Sequence, residues 1–267
     1  MRRNNLVIVA ISCALAMALT VRSGEVEHAP DSAWAQQRQA ELAADLLGDN
    51  GVRRERAVFV ADALGPSRMS EDVRIALITL LEQFNDEQDV AEAQGIALES
   101  VVQGEFFLWV ARVVATLDDP RAISALARVG NHAFSKHVAS GLARLGEQAL
   151  PAIVTVIDAS RAGESKFAVR TNLLAISMMV GDGGADRLSA SAREDIVRVT
   201  RDSFWSQRGT TIRKAIDIAV ALDEPELVQM VVAISQDPSI VAERGLDGFM
   251  VDRVHKHAVD ALSVMAE

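Results

Sequence analysis

The chain has 267 residues, 49% of them hydrophobic and 24% charged, with a formal charge of −10. That is a globular composition, long enough for one large domain or a tandem array with a continuous core. Its acidity repels phosphate backbones and anionic headgroups, which disfavours nucleic acid as a partner. Aromatics are only 4% and tyrosine is absent, a balance that leans away from pleated sheets and towards helices.

At the amino terminus, Arg2 and Arg3 precede an uncharged run from Leu6 to Val21, and a polar stretch from Arg22 to Asp31 follows. A positive start, an apolar centre and small residues at its end describe a secretory signal. Cleavage fits after Ala18, with Ala16 at minus three, or after Ser23, with Val21 there. The second leaves a polar mature start and is preferred. The alternative is an uncleaved anchor, but the run rises only about 24 Å as a helix against a hydrocarbon core of roughly 30 Å. Cys13 lies inside the run rather than at its end, so it does not mark a lipid attachment. Residues 1–23 are therefore expected as a signal peptide, 24–31 as a short linker and 32–267 as the folded domain, in a periplasmic or extracellular location. Loss of Met1 to Ser23 removes the only cysteine and three arginines with no acid, taking the charge to −13. Packing alone must then hold the mature chain together.

Val26 to Asp49 reads as a polar lead-in and one helix, with Trp34, Leu42, Leu46 and Leu47 as apolar positions, stopped by Gly48-Asp49-Asn50-Gly51. From there helical segments alternate with short breakers, and no alternating run bounded by hairpin turns stands out. The punctuation recurs: Leu64-Gly65-Pro66, Leu117-Asp118-Asp119-Pro120, Leu145-Gly146-Glu147 and Leu222-Asp223-Glu224-Pro225, with Val180-Gly181-Asp182-Gly183-Gly184 as a longer form. Proline is tolerated in a first helical turn, and an acid beside it offers a cap. Each breaker is expected to join antiparallel neighbours.

The helices share a pattern. Val73-Arg74-Ile75-Ala76-Leu77, Val169-Arg170-Thr171-Asn172-Leu173 and Ile212-Arg213-Lys214-Ala215-Ile216 each open on a β-branched residue and an arginine, with an apolar residue four positions after the first. Val138 to Leu142 and Val254 to Ala258 keep the spacing without the arginine, and Val110 begins a comparable helix running to Leu117. The intervals between these starts are uneven, as in helix pairs joined by variable loops. Small residues (Ala76, Ala111, Gly141, Ala175, Ala219) would let helices approach, and Leu77, Leu142 and Leu173 would fill the space. Val254 to Met265 is the expected closing helix.

In Leu150-Pro151-Ala152-Ile153-Val154-Thr155-Val156-Ile157-Asp158, followed by Val169-Arg170 and Leu173-Leu174-Ala175, the chain resembles the HEAT-like repeat family, which includes lyase-type members. Leucine-proline, an apolar helix, an aspartate at the turn and valine-arginine at the second helix appear in the family's order. The loop from Ser160 to Ser165 is longer than usual, and Glu87 to Gly104 and Asp186 to Ser206 keep helical spacing without the motif. The resemblance implies an all-α fold, a right-handed α-solenoid of helix pairs, with Asp158 and Arg170 in a polar ladder between neighbouring units. A non-repetitive helical bundle is the alternative architecture.

Chemistry-bearing residues are sparse. His255 and His257 are two apart and diverge on a helix, while His132 and His137 straddle an expected helix start, and His28 lies in the polar lead-in. Zinc on a helix wants i and i+4 with a third ligand, so no metal ligand is assigned. Gly181, Gly183 and Gly184 follow a helix, and Asp182 and Asp186 would repel phosphate, so no cofactor loop is assigned. Those two aspartates are also too few for an EF-hand. Ser140 lacks the glycine two before it that a nucleophile elbow needs, so no catalytic residue is assigned. The acids of Glu82 to Glu92 read as a solvated turn between helices, and Arg53, Arg54 and Arg56 as a solvated helix start. Phe106, Phe107 and Trp109 read as buried. For Phe204 and Trp205, beside polar Asp202, Ser203 and Gln207, packing in a core or loop is the first expectation, and an exposed anchor the second.

The expected function is that of a non-enzymatic scaffold or adaptor outside the cytoplasm, binding a protein along a helical array and needing no cofactor. The alternatives are a structural subunit of an envelope complex held by an uncleaved amino-terminal helix, and a lyase-like HEAT-repeat enzyme.

Overall fold

A computed structural model describes residues 32–94, 104–129, 135–161, 168–181 and 183–265, and every regular element among them is helical. The signal segment and linker, 1–31, lie outside the described residues, as do His28, His132 and Asp182. By internal contacts the chain divides into 1–38 and 39–267. Of the first unit the described part is the opening of α1 (Ser32–Leu47), where the Arg38 guanidinium carbon lies 5.5 Å from the Trp34 ring centroid.

Helix ends follow from local chemistry. The Asn50 side chain accepts from the Arg53 N–H and starts α2 (Gly51–Leu64), while Arg54 donates to the Gly48 carbonyl at 2.7 Å. This meets orphan groups on both sides of one break. Gly65, at φ 72°, ends α2, and a 3-10 turn over Pro66–Arg68 leads to α3 (Glu71–Ala93). After α4 (Gly104–Ala115), Asp118 takes a left-handed φ of 50° and Asp119 accepts from the Arg121 N–H before α5 (Ile123–Arg128). α6 (Ser135–Leu145) ends at Gly146, and a 3-10 turn runs into α7 (Leu150–Arg161). α8 (Ala168–Val180) is followed by Gly184, where an added Cβ would sit 1.9 Å from the Met179 carbonyl oxygen, so only glycine fits. Ser189 caps α9 (Ala190–Ser203). After α10 (Gly209–Leu222), Asp223 is left-handed at φ 51°, and Pro225 opens α11 (Pro225–Gln236). A short α12 (Ser239–Ala242) precedes α13 (Gly248–Met265).

The two Leu-Asp-acid-Pro breakers share one corner design. At the first, Arg144 of α6 donates to the Ala115 carbonyl at 2.6 Å and to Asp118. At the second, Arg193 of α9 donates to the Leu222 carbonyl at 2.7 Å and to Glu224. A cation from another helix thus neutralises the carbonyl end of α4 and of α10, where the helix dipole favours positive charge.

Within 39–267 the helices contact one another in two series. α3, α5, α7, α9 and α11 touch in that order; so do α2, α4, α6, α8, α10 and α13. Members are cross-linked as consecutive pairs, α3 with α4, α5 with α6, α7 with α8, and α9 with α10, while α11 meets α13. One hydrophobic cluster runs through the unit, from Leu46 to Ala258. Leu77, Leu142 and Leu173 are fully buried in it, each contributing roughly 1.5–3 kcal/mol of transfer free energy. Ala76, Ala111, Ala175 and Ala219 are buried beside them. A Cβ on Gly141 would stand 2.7 Å from the Ala115 carbonyl oxygen, so α6 crosses α4 there without space for a side chain.

The acid run corrects an expectation. Glu82 to Glu92 is no turn but part of α3, because Leu80, Leu81 and Phe84 keep the apolar face going and no glycine or proline interrupts it. Asp86 and Asp89 both receive Arg128 from α5, at 2.7 and 2.6 Å. The helix expected from Val110 to Leu117 likewise begins earlier, at Gly104.

Candidate docking surface

Phe204 and Trp205 follow the last turn of α9, where the Trp205 N–H still bonds the Asp202 carbonyl. Successive positions on such a turn point about 100° apart, so the two rings part company. Phe204 is 0% exposed, in the core, and Trp205 is 65% exposed. Both expectations for this pair were half right: one ring packs and its neighbour stands out.

Trp205 does not stand alone. The Arg244 guanidinium carbon lies 4.3 Å from its ring centroid, arriving just after α12. The turn that delivers it needs Gly245, at φ 81°. Phe249, 67% exposed, opens α13 and carries Arg253 one helical turn on, 5.4 Å from its ring. Gly209 locks the two stretches together. Leu246, Met250 and Val254 close over it so tightly that an added Cβ would stand 2.5 Å from the Met250 methyl. The aromatic–arginine pairs therefore sit on turns braced by a packed contact.

Arg244 is electrostatically underused. Its Nη1 is buried without a hydrogen-bond partner, and desolvation pulls the guanidinium below its ordinary pKa, opposed by Glu243. By contrast, Arg112 pairs with Asp62, Arg121 with Glu71 and Asp119, and Arg201 with Glu226. Arginine over an exposed aromatic face is chemistry that recurs at the centres of protein interfaces.

A second polar cluster ties α13 to α10. Asp217 accepts from Lys214 and pairs with His257, both at 2.6 Å, and His255 reaches the Ser235 carbonyl at 3.0 Å. Burial raises the Asp217 pKa, but the hydrogen bonds from His257 and Lys214 outweigh it and hold the carboxyl below its ordinary value. The histidines diverge along α13 and serve two different neighbours.

The remaining singled-out residues do structural work. Ser140 accepts from Arg144 within α6. Arg54 closes the α1–α2 break, whereas Arg53 and Arg56 are exposed. Phe107 is buried, Phe106 and Trp109 pack against the core, and the Trp109 indole donates to Asp62 at 3.1 Å. Asp158 joins a contact between neighbours, receiving both Arg198 guanidinium nitrogens of α9 at 3.1 Å. His137 lies in α6 and Asp186 in the 3-10 turn Ala185–Arg187. Among the described residues no group of three His, Cys, Asp or Glu side chains is arranged to hold a metal, and no helix is long and apolar enough to cross a membrane.

Sequence reasoning missed Asn85 and Asn172. Asn85 donates to the Ala125 carbonyl and Asn172 to the Ala127 carbonyl, both at 2.8 Å and both buried, so α3 and α8 each support an end-on carbonyl of α5. Asn172 stood in the aligned helix pattern, yet nothing in that pattern distinguished it from a solvated side chain. Trp205 carried a signal, the polar residues around it. Arg244 carried none, since its proximity to Trp205 is created by the fold. No family model, curated protein or solved structure matches this chain.

Proposed function

We propose that the chain is an α-solenoid of HEAT-like helix pairs that works outside the cytoplasm as a protein-binding scaffold. The observation that carries this reading is a group of side-chain contacts at a sequence offset near forty residues, alongside a second group at 25 to 31 that joins nearer neighbours. Arg128 meets Asp86 and Asp89 at separations of 42 and 39, Arg198 meets Asp158 at 40, and His257 meets Asp217 at 40. Asn85 reaches Ala125 across 40, and the Ser189 N–H reaches Glu147 across 42. A unit of two helices and their turns in HEAT repeats is about 40–47 residues long, and contacts at this offset support that reading. The two series of helix contacts and their consecutive pairing support the same architecture.

A tandem array presents long side-by-side faces, and stacking alone stabilises it, so its surface is free for recognition. The amino-terminal Arg2-Arg3 and apolar run support export, and an acidic chain of this composition suits a protein partner better than a nucleic acid.

The test is crosslinking in intact cells followed by affinity capture from the envelope fraction. The expected result is a stoichiometric companion protein and a mature amino terminus near Gly24. Recovery of the protein alone, or release from membranes only by detergent, would count against the scaffold or the cleaved export respectively.

A further inference from the structure

We infer that the two aromatic–arginine pairs, Trp205 with Arg244 and Phe249 with Arg253, on stretches tied together at Gly209, receive a peptide segment of a partner protein that carries carboxylates beside apolar side chains. The inference rests on the scaffold reading and gives its partner a chemistry.

Three observations point there. Trp205 and Phe249, at 65% and 67%, are the two most exposed aromatic rings among the described residues, and a protein leaves aromatic area in water at a cost that an interface recovers. Each ring is overlain by an arginine rather than by an aliphatic neighbour. A guanidinium lying over a ring can still direct in-plane donors at a carboxylate, from Arg253 and from the nitrogens of Arg244 other than the buried Nη1, with the exposed ring beside it for an aliphatic side chain of the ligand.

Charge complementarity selects the occupant. In a chain of net charge −10 the arginines of the corners and staples are saturated by acids, as Arg193 is by Glu224 and Arg198 by Asp158. Neither Arg244 nor Arg253 forms an ion pair among the described residues. The acids close to them in sequence do not fill that role: Asp247 caps the Met250 N–H at 2.8 Å, Glu243 acts on Arg244 without forming an ion pair, and exposed Asp252, next to Arg253, forms no ion pair with it. The charge of both guanidiniums therefore suits an anionic group on a partner. An anionic membrane is the weaker candidate, because the surrounding acidic chain repels a charged sheet but not a short segment confined to two arginines.

The test is selection of displayed random short peptides on the full chain, with wild type, Trp205→Ala, and the double variant Arg244→Gln with Arg253→Gln. Equal thermal melting of the three checks the fold, and Phe249→Ala serves as a replacement for any variant that fails to fold. Expected is enrichment of peptides with Asp or Glu next to a Leu, Phe or Trp, affinity weakened roughly tenfold or more by Trp205→Ala, and loss in the double variant of the preference for Glu over Gln in a selected peptide. Enrichment of basic or uncharged peptides, no enrichment, or binding indifferent to Trp205→Ala would overturn the inference. So would binding to phosphatidylglycerol vesicles that Trp205→Ala abolishes in place of peptide binding. If crosslinking in cells captures the same companion with wild type and Trp205→Ala, the scaffold stands and this site falls. If selected peptides bind at Trp205 and no companion is ever captured, the site stands and the scaffold falls.

Discussion

Leu173 and Gly141 show how much single side chains decide in a core of this kind. Leu173 is fully buried in α8, so Leu173→Ala removes its transfer free energy and leaves a cavity, for an expected loss of about 2–5 kcal/mol. Urea unfolding followed by circular dichroism reads it, and an unchanged midpoint would remove Leu173 from the core. Gly141→Ala has the opposite fault. Its new methyl would meet the Ala115 carbonyl, and the helices must part, at an expected cost of about 1–3 kcal/mol. Asp217 adds a pH term. Its carboxyl is held below the ordinary value of 3.8 by His257 and Lys214 against the opposing effect of burial. A depressed folded-state pKa contributes stability that is present above 3.8 and is lost as the pH falls through the folded value. Asp217→Asn should therefore lower the neutral-pH melting temperature and flatten its decline on acidification; a parallel decline in both proteins would show that the carboxylate contributes nothing.

Among the elements, α5 is the unusual one. At six residues it is too short to hold itself together, and buried amides from α3 and α8 satisfy its carbonyls. Asn172→Leu should leave the Ala127 carbonyl with no side-chain donor, cost about 1–3 kcal/mol, and speed hydrogen exchange along α5 more than along α10. Uniform acceleration would mean that the amide acts on global stability only. Most elements were legible from the chain. Asp119 and Pro225 mark helix starts, and Gly65, Asp223 and Gly146 mark helix ends, because the chemistry of an end is local. Ala76, Gly141, Leu142 and Leu173 fall inside as the spacing requires. The run Glu82 to Glu92 misled because its five acids look like a loop, whereas long-range partners such as Arg128 tolerate them on a helix face. The candidate surface was half legible: an aromatic pair among polar residues marks Trp205, but the arginine above it comes from a stretch about forty residues away.

For the molecule as a whole, stability should be modular. If each helix pair is held by its neighbours alone, ending the chain after Gln236 removes α12 and α13 and exposes the faces of α10 and α11, yet leaves the earlier pairs supported. The expected result is a folded, helical protein with a lower denaturant slope, since less surface is exposed on unfolding. Wholesale unfolding would mean one indivisible cooperative unit. The exposed ion pairs, Arg128 with Asp86 and Asp89 and Arg201 with Glu226, contribute little each in water. Their value is in alignment, so added salt should move the melting temperature only slightly.

A chain without tyrosine has an optical consequence. Its near-ultraviolet absorption and emission come almost entirely from three indoles, at positions 34, 109 and 205. The last lies in water beneath a cation, while the second is partly sheltered and hydrogen-bonded to Asp62. The protein thus carries one of its three indoles at the surface where a visitor would land, with no label to attach and no background from tyrosine.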